Sequence, residues 1–179
     1  MHVLRLAVVV IVIGMTALPL VRGQSVDDPA LRGQLQQLFP EAASFTPKDG
    51  NPPHYKAYGP AASGAEPELL GLAYWTTELD PLERGFDGPI KMLVGMNTVG
   101  ELTGVIVTDH REPYGYFSVD LPEFSEQFVG KSIRDPFRVG ADVDAVTRAT
   151  ITIMSSTRAI RNSSRRIARA YLAPPEASQ

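Results

Sequence analysis

The chain of 179 residues contains no cysteine. Disulfides, cysteine-ligated iron–sulfur clusters and thiol catalysis are thereby excluded from it. It also lacks an excess of positive charge: the net charge of −3 argues against a nucleic-acid-binding protein, which is usually basic. Beyond the first two dozen residues, no apolar run approaches the roughly 18–20 residues a membrane-spanning helix needs. The familiar catalytic signatures are missing too, with no G-x-S-x-G nucleophile elbow, no H-E-x-x-H and no phosphate-binding P-loop. The carboxylates form no obvious acid/base pair. His110 and Glu112 stand close in sequence, but two ligands without a third make a poor metal site.

What the chain does have begins with its N-terminus. Met1 to Arg5 carries a positive charge, residues 6–21 are almost wholly apolar, and small or medium side chains precede Gln24. This is the pattern of a secretory signal over residues 1–23, with a single uncleaved membrane anchor as the competing reading. Either reading puts residues 24–179 outside the cytoplasm, as one domain with room for a real core.

In that domain, residues 27–40 (DDPALRGQLQQLFP) read as a first helix, capped by Asp and stopped by Pro40. A Pro- and Gly-rich stretch follows, with a short strand at Tyr55 to Tyr58. Strand patterns then come in succession: Leu69 to Leu79, Pro89 to Asn97 and Glu101 to His110, the last two flanking a turn at Thr98-Val99-Gly100. Short turns between neighbouring strands imply an antiparallel meander. Leu121 to Gly130 suggests one or two helical turns. After Thr152 the spacing becomes helical, with Ile153, Thr157, Ile160, Ser164, Ile167, Ala168 and Tyr171 on an inward stripe. Arg158, Arg161, Arg165 and Arg169 follow the same spacing on another face. The expected fold is α+β: a twisted antiparallel sheet with helices packed on it from both ends of the chain.

The densest chemistry lies in DVDAVTRATITIMSSTRAIRNSS, where Thr147, Thr150, Thr152, Ser155, Ser156, Thr157, Ser163 and Ser164 crowd the start of that last helix. Such hydroxyls compete with the backbone for hydrogen bonds and gain a helix nothing. A helix start does offer unpaired N–H groups to a phosphate, although the field alone contributes only about 0.3–1 kcal/mol per charge. Simple capping and turn formation is the alternative use of these threonines.

Asp144-Ala145-Val146-Thr147-Arg148-Ala149-Thr150-Ile151-Thr152 resembles the flavinylation motif D-x-x-[S/T]-G-A-T-x-[S/T] of the FMN-binding domain family. The family includes flavoprotein subunits of Rnf and Na+-translocating quinone reductase complexes, and the periplasmic domains of NosR- and NirI-type proteins. Arg84-Gly85-Phe86-Asp87-Gly88-Pro89-Ile90 is similar to the G-[YF]-x-G-P-I segment that precedes a core strand in that family. His110-Arg111-Glu112-Pro113-Tyr114-Gly115-Tyr116-Phe117 is similar to the H-x-E-P-Y-G-Y-F stretch of the NosR branch.

The resemblance implies FMN joined by a flavin transferase through a phosphoester to Thr150. Asp144 and Thr147 would then serve recognition or positioning, and Thr152 would cap the helix beside the phosphate. Ala149 belongs to the motif core. Gly88, Pro89, His110, Glu112 and Tyr114 would contribute to the cofactor pocket, with a structural hydrogen-bonding pair as the alternative for His110 and Glu112. Tyr116 and Phe117 are further rings that suit a flavin, and Trp75 is either another such ring or part of the core. Arg148 departs from the pattern by replacing its glycine. It would be strained if φ > 0 is required, or would pair with the phosphate. The function so implied is an exported electron-transfer flavoprotein working with membrane or periplasmic redox proteins in a NosR-like setting. The alternative is a non-redox binding or assembly module of the same fold that has lost the cofactor.

Overall fold

The computed structural model describes residues 26–61 and 64–172. The expected export signal at residues 1–23 lies outside the described residues. Among those described, no helix is long and apolar enough to cross a membrane.

Five strands form one sheet in chain order, β1 (Ser44–Phe45), β2 (Tyr55–Tyr58), β3 (Leu69–Trp75), β4 (Lys91–Asn97) and β5 (Leu102–Asp109). Every neighbouring pair is antiparallel, so the meander expected from the sequence is borne out. The β4–β5 turn is tied by the Asn97 side chain, whose Oδ1 accepts from the Val99 and Glu101 amides at 3.1 and 2.8 Å. Among the described residues, four helices accompany the sheet: α1 (Pro29–Leu38), α2 (Thr76–Leu79), α3 (Pro122–Glu126) and α4 (Thr150–Tyr171). A single 3-10 turn covers Gly115–Phe117.

Alternation along the strands sends side chains to two faces, and both faces are buried. From β3, Leu72 and Tyr74 join Met92, Val94 and Met96 of β4 under α4, whose Ile153, Ile160 and Ile167 are fully buried. Ala73, Trp75 and Leu93 point the other way, onto Leu35 and Leu38 of α1. Each of the three isoleucines contributes roughly 1.5–3 kcal/mol by leaving water. On the α1 face, Gly95 allows the close approach. A Cβ there would collide with Thr103 Oγ1 and fall 3.0 Å from Leu38 Cβ. The two terminal helices therefore sandwich the sheet from opposite sides, which is an α+β architecture.

Two boundaries differ from expectation. The third strand ends at Trp75 rather than Leu79, because the Thr76 hydroxyl accepts from the Met92 amide at 3.2 Å and the chain turns into α2. The last helix begins at Thr150, not after Thr152. That earlier start puts the predicted attachment residue inside the first helical turn.

Most of the hydroxyls on α4 face the core. Thr157, Ser163 and Ser164 donate to the carbonyls of Ile153, Ala159 and Ile160 at 2.6–2.7 Å, so these three buried hydroxyls are satisfied within the helix. The Tyr74 phenol, fully buried, donates to Ser164 Oγ at 2.8 Å across the helix–sheet interface. Small side chains let α4 lie close on the sheet, and that accounts for the hydroxyl density beyond Thr152.

Two members of the arginine stripe also have partners. Arg158 forms a double contact with Glu83, with Nη2 at 2.6 Å from Oε1 and Nε at 3.1 Å from both carboxylate oxygens. Arg165 donates to the carbonyls of Ile133 and Asp135. Arg165 thereby straps the 133–135 loop to the helix.

Candidate functional site

The three sequence stretches singled out above meet at one side chain. Glu112 is 6 % exposed, and its carboxylate is surrounded by donors. Oε2 accepts from the Phe86 amide at 2.9 Å and Oε1 from the Asp87 amide at 3.0 Å. The Thr152 hydroxyl, in the first turn of α4, donates to Oε2 as well. One carboxylate thereby fastens the 85–89 loop to the start of the long helix. Gly85 makes this possible, since a Cβ there would collide with Glu112 Oε1.

The 110–120 segment is held by a second network. The Glu112 amide donates to His110 Nδ1 at 3.0 Å. With Nδ1 accepting, the ring proton lies on Nε2, which donates to Asp120 Oδ1 at 2.7 Å. His110 is thus a structural hydrogen-bonding group that orients the backbone carrying Glu112. No group of three or more potential metal-binding side chains occurs among the described residues.

The segment entering α4 has its own organising acid. Asp142 accepts from the Phe137 amide at 3.0 Å and the Arg138 amide, and pairs with Lys131 Nζ at 3.4 Å. Burial opposes its charge, but the two amides and the lysine outweigh burial and hold its carboxyl below the usual carboxylate range. The loop it closes then runs through Asp144 to Ala149. Arg148 has φ +72°, the left-handed conformation for which the related motif uses glycine. An arginine is therefore held at an angle that favours glycine.

At the helix start, Ala149 is the N-cap and no side chain caps the free amides. Ala149 is buried and Thr150 exposed. The Thr150 hydroxyl makes no hydrogen bond among the described residues, nor do the side chains of Thr147, Arg148 and Asp144. The Asp144 backbone is fixed by its amide, which donates to Gln127 Oε1 at 2.8 Å. Thr152, two residues on, projects to the opposite side of the helix and is consumed by Glu112. An uncapped N-terminus of a 22-residue helix, a free hydroxyl on its first residue and an unpaired guanidinium beside it suit a phosphate ester.

The remaining expected residues are arranged more loosely. Gly88 is buried with φ +135° and its carbonyl accepts from the Gly85 amide at 2.7 Å, while Pro89 is exposed. Tyr114 and Tyr116 are 44 % and 69 % exposed, each packed against Phe117. Phe86, at 68 % exposed, is a further uncovered ring that the sequence reading did not single out. Trp75 lies in the core on the α1 face, with Lys91 Nζ 4.5 Å from its ring centre, and belongs to packing rather than to this site. Asp120 and Gln127 were also not anticipated, for their partners are a distant imidazole and a main-chain amide.

Comparison with known proteins bears out the resemblance to the FMN-binding domain family. Residues 85–164 match the FMN-binding domain family. The chain is 35 % identical over 88 residues to the G subunit of the ion-translocating oxidoreductase complex of Shewanella baltica (strain OS223), a stretch covering 44 % of this chain and 42 % of that protein. Against the protein of the same name from Shewanella oneidensis, identity is 32 % over 87 residues, covering 43 % and 41 %. For that of Vibrio vulnificus (strain YJ016) it is 31 % over 88 residues, covering 44 % and 42 %. The matched stretch thus spans under half the length of these relatives.

Proposed function

Since this chain carries an FMN-binding domain over residues 85–164, we propose that it is an exported electron carrier holding FMN by a phosphoester to Thr150. The supporting observation is the contrast between two threonines. Thr152 is buried and committed to Glu112, whereas Thr150 stands exposed, unpartnered and next to an uncapped helix start. A transferase reaching the helix end from solvent meets Thr150. In forming the ester, the threonine Oγ bonds to phosphorus, its hydroxyl proton leaves, and the mass rises by FMN less one water.

In this reading the free amides of the first turn and the Arg148 guanidinium receive the phosphate. Asp144 and Thr147, exposed on the approach loop, serve recognition by the transferase, with Ala149 seating the turn. Gly88, Pro89, His110, Glu112 and Tyr114 form the wall that the 85–89 and 110–117 segments build. The flavin supplies one- and two-electron chemistry when bound, and the protein sets its exposure and potential. A covalent tether prevents its loss outside the cytoplasm. The redox partners are membrane or periplasmic proteins, consistent with relatives described as members of ion-translocating oxidoreductase complexes.

The decisive measurement is the intact mass of the exported protein made together with a flavin transferase. A gain of FMN less water, lost in Thr150→Ala, supports the proposal. An unmodified wild-type mass overturns it and favours the cofactor-free binding module. The stretch from His110 to Phe117 extends the reading to a NosR-like denitrification setting. A host deleted for this chain that still consumes nitrous oxide at the normal rate would remove that extension.

A further inference from the structure

The loop that leads into Thr150 is gripped at two points by a segment outside residues 144–152. That segment follows α3, and two aromatic rings seat it in the core. Phe124 and Phe128 are buried with ring centres 5.2 Å apart, and Phe128 stacks on Phe137 at 6.2 Å. From this base Lys131 Nζ reaches Asp142 Oδ2 at 3.4 Å, and Gln127 Oε1 accepts from the Asp144 amide at 2.8 Å.

The two grips meet very different stretches of chain. The turn at 137–143 is closed many times over. Besides the bonds to the Asp142 carboxylate, the Arg138 carbonyl accepts from the Ala141, Asp142 and Val143 amides at 3.0–3.2 Å, and the Gly140 amide donates to the Val143 carbonyl at 2.8 Å. Residues 144–148 hold themselves far less. The Ala149 amide donates to the Val146 carbonyl at 3.1 Å, which closes the far end. The side chains of Asp144, Thr147 and Arg148 are unbonded among the described residues, and the left-handed angle of Arg148 opposes the shape the segment has. The bond from Gln127 is what fixes where this segment starts. Gln127 is half-buried at the C-cap of α3, and its side chain makes no other hydrogen bond among the described residues.

We propose that Gln127 is a positioning residue for flavin attachment: by holding the Asp144 amide it keeps residues 144–148 in the shape that presents Thr150 to the transferase. This rests on the reading that Thr150 carries FMN. Gln127 acts through the loop, by setting the fraction of molecules in the competent shape. Apparent affinity falls in proportion to that fraction, while the complex once formed reacts as before. A net hydrogen bond of about 1 kcal/mol corresponds to about fivefold, at 1.4 kcal/mol per tenfold. Loss of the Gln127 acceptor therefore raises the transferase's KM for this chain about fivefold and leaves kcat unchanged.

The test measures initial rates of FMN transfer to the full chain at varied chain concentration, with intact mass as the readout, in wild type, Gln127→Met and Gln127→Glu. Methionine keeps the length of the side chain and removes the acceptor, whereas glutamate keeps both. Hydrogen exchange at the Asp144 amide, followed on the unmodified proteins, reports the grip without the transferase. For Gln127→Met the expected result is faster exchange at Asp144, a KM about fivefold higher and an unchanged kcat. Gln127→Glu returns all three to wild type, a rescue that a general loss of stability would not give. If Gln127→Met does not fold, Gln127→Asn, which withdraws the acceptor by one methylene, takes its place under the same criteria. If the variant keeps the wild-type KM or the wild-type exchange, if the loss falls on kcat instead, or if Gln127→Glu fails to restore it, the positioning role is wrong while the attachment stands. If wild type gains no mass, the attachment fails and the positioning role fails with it.

Discussion

Replacing Glu112 by Gln keeps the volume and shape of the side chain while removing its ability to accept hydrogen bonds on both oxygens. In the native protein three donors converge on the carboxylate: the Phe86 and Asp87 amides and the Thr152 hydroxyl. A hydrogen bond to a charged acceptor contributes about 1.5–3 kcal/mol, and a buried donor without a partner costs about 1–3 kcal/mol. The substituted amide would keep one carbonyl acceptor and turn its NH2 toward at least one donor. The expected loss for Glu112→Gln is about 2–4 kcal/mol of unfolding free energy. Glu112→Ala, which orphans all three donors, should lose roughly 3–5 kcal/mol, close to the cost of breaking a buried charged pair. Thr152→Val removes only one donor and leaves the carboxylate with two, a loss of about 1 kcal/mol. Urea unfolding followed by far-ultraviolet circular dichroism measures all three. The sharper test is the Glu112→Gln/Thr152→Val double mutant, which should be less destabilised than the sum of the singles, since contacting residues couple by about 0.5–3 kcal/mol. Strict additivity, or a Glu112→Gln loss below about 0.5 kcal/mol, would refute the claim that this carboxylate joins the loop to the helix.

Arg148→Gly should stabilise the protein by about 0.5–1 kcal/mol, because relief of the left-handed arginine outweighs glycine's greater unfolded-state entropy. That corresponds to a melting temperature higher by about 1–4 °C, and a Gly variant no more stable than Arg148→Ala would count against backbone strain there. Ser164→Ala should cost more than Tyr74→Phe, about 1–3 against about 1 kcal/mol. The first strands a buried phenol donor, whereas the second leaves Ser164 still bonded to Ile160. Equal losses in thermal melts would argue against that hydrogen bond. Asp142→Asn should lose about 1 kcal/mol at pH 7. Because the native carboxyl is held below its unfolded value of about 3.9, the stabilisation is full above that value and fades as pH falls through the lowered native one. Urea midpoints of wild type and mutant should therefore converge in acid, and a constant gap down to about pH 2 would contradict this assignment.

What the sequence made legible was whatever repeats at short range. The β3–β5 meander follows from apolar runs separated by turn residues, and α4 from a three- and four-residue spacing continuing to Tyr171. Its two errors of boundary were local competitions that pattern alone does not decide. Thr76 looks like a strand residue until its hydroxyl is seen taking the Met92 amide. The hydroxyl-rich run was legible only in part: the spacing put Thr157 and Ser164 on the inward stripe, and from Ser155 onward the run is core packing, with the Ser155, Thr157, Ser163 and Ser164 hydroxyls turned back on helix carbonyls. Of the threonines at the helix start, Thr147 and Thr150 remain free for chemistry.

The joint that unites the site was the least legible part, for a physical reason. Glu112 reaches back to residues 86 and 87 and forward to Thr152, and two of its three partners are main-chain amides, which carry no side-chain identity. Arg158 with Glu83 repeats the case, two charges 75 residues apart in the chain that the fold brings into double contact. One signal was nevertheless present. Gly85 precedes a loop that needs no unusual angle at that position, so its lack of a side chain had to answer to a neighbour. Arg148 is the converse case, an angle that demands glycine and a residue that is not one. The two positions pull apart what glycine does in such motifs: at Gly85 it makes room for a carboxylate, and at 148 its backbone freedom is replaced by strain that leaves a cation beside an open helix end.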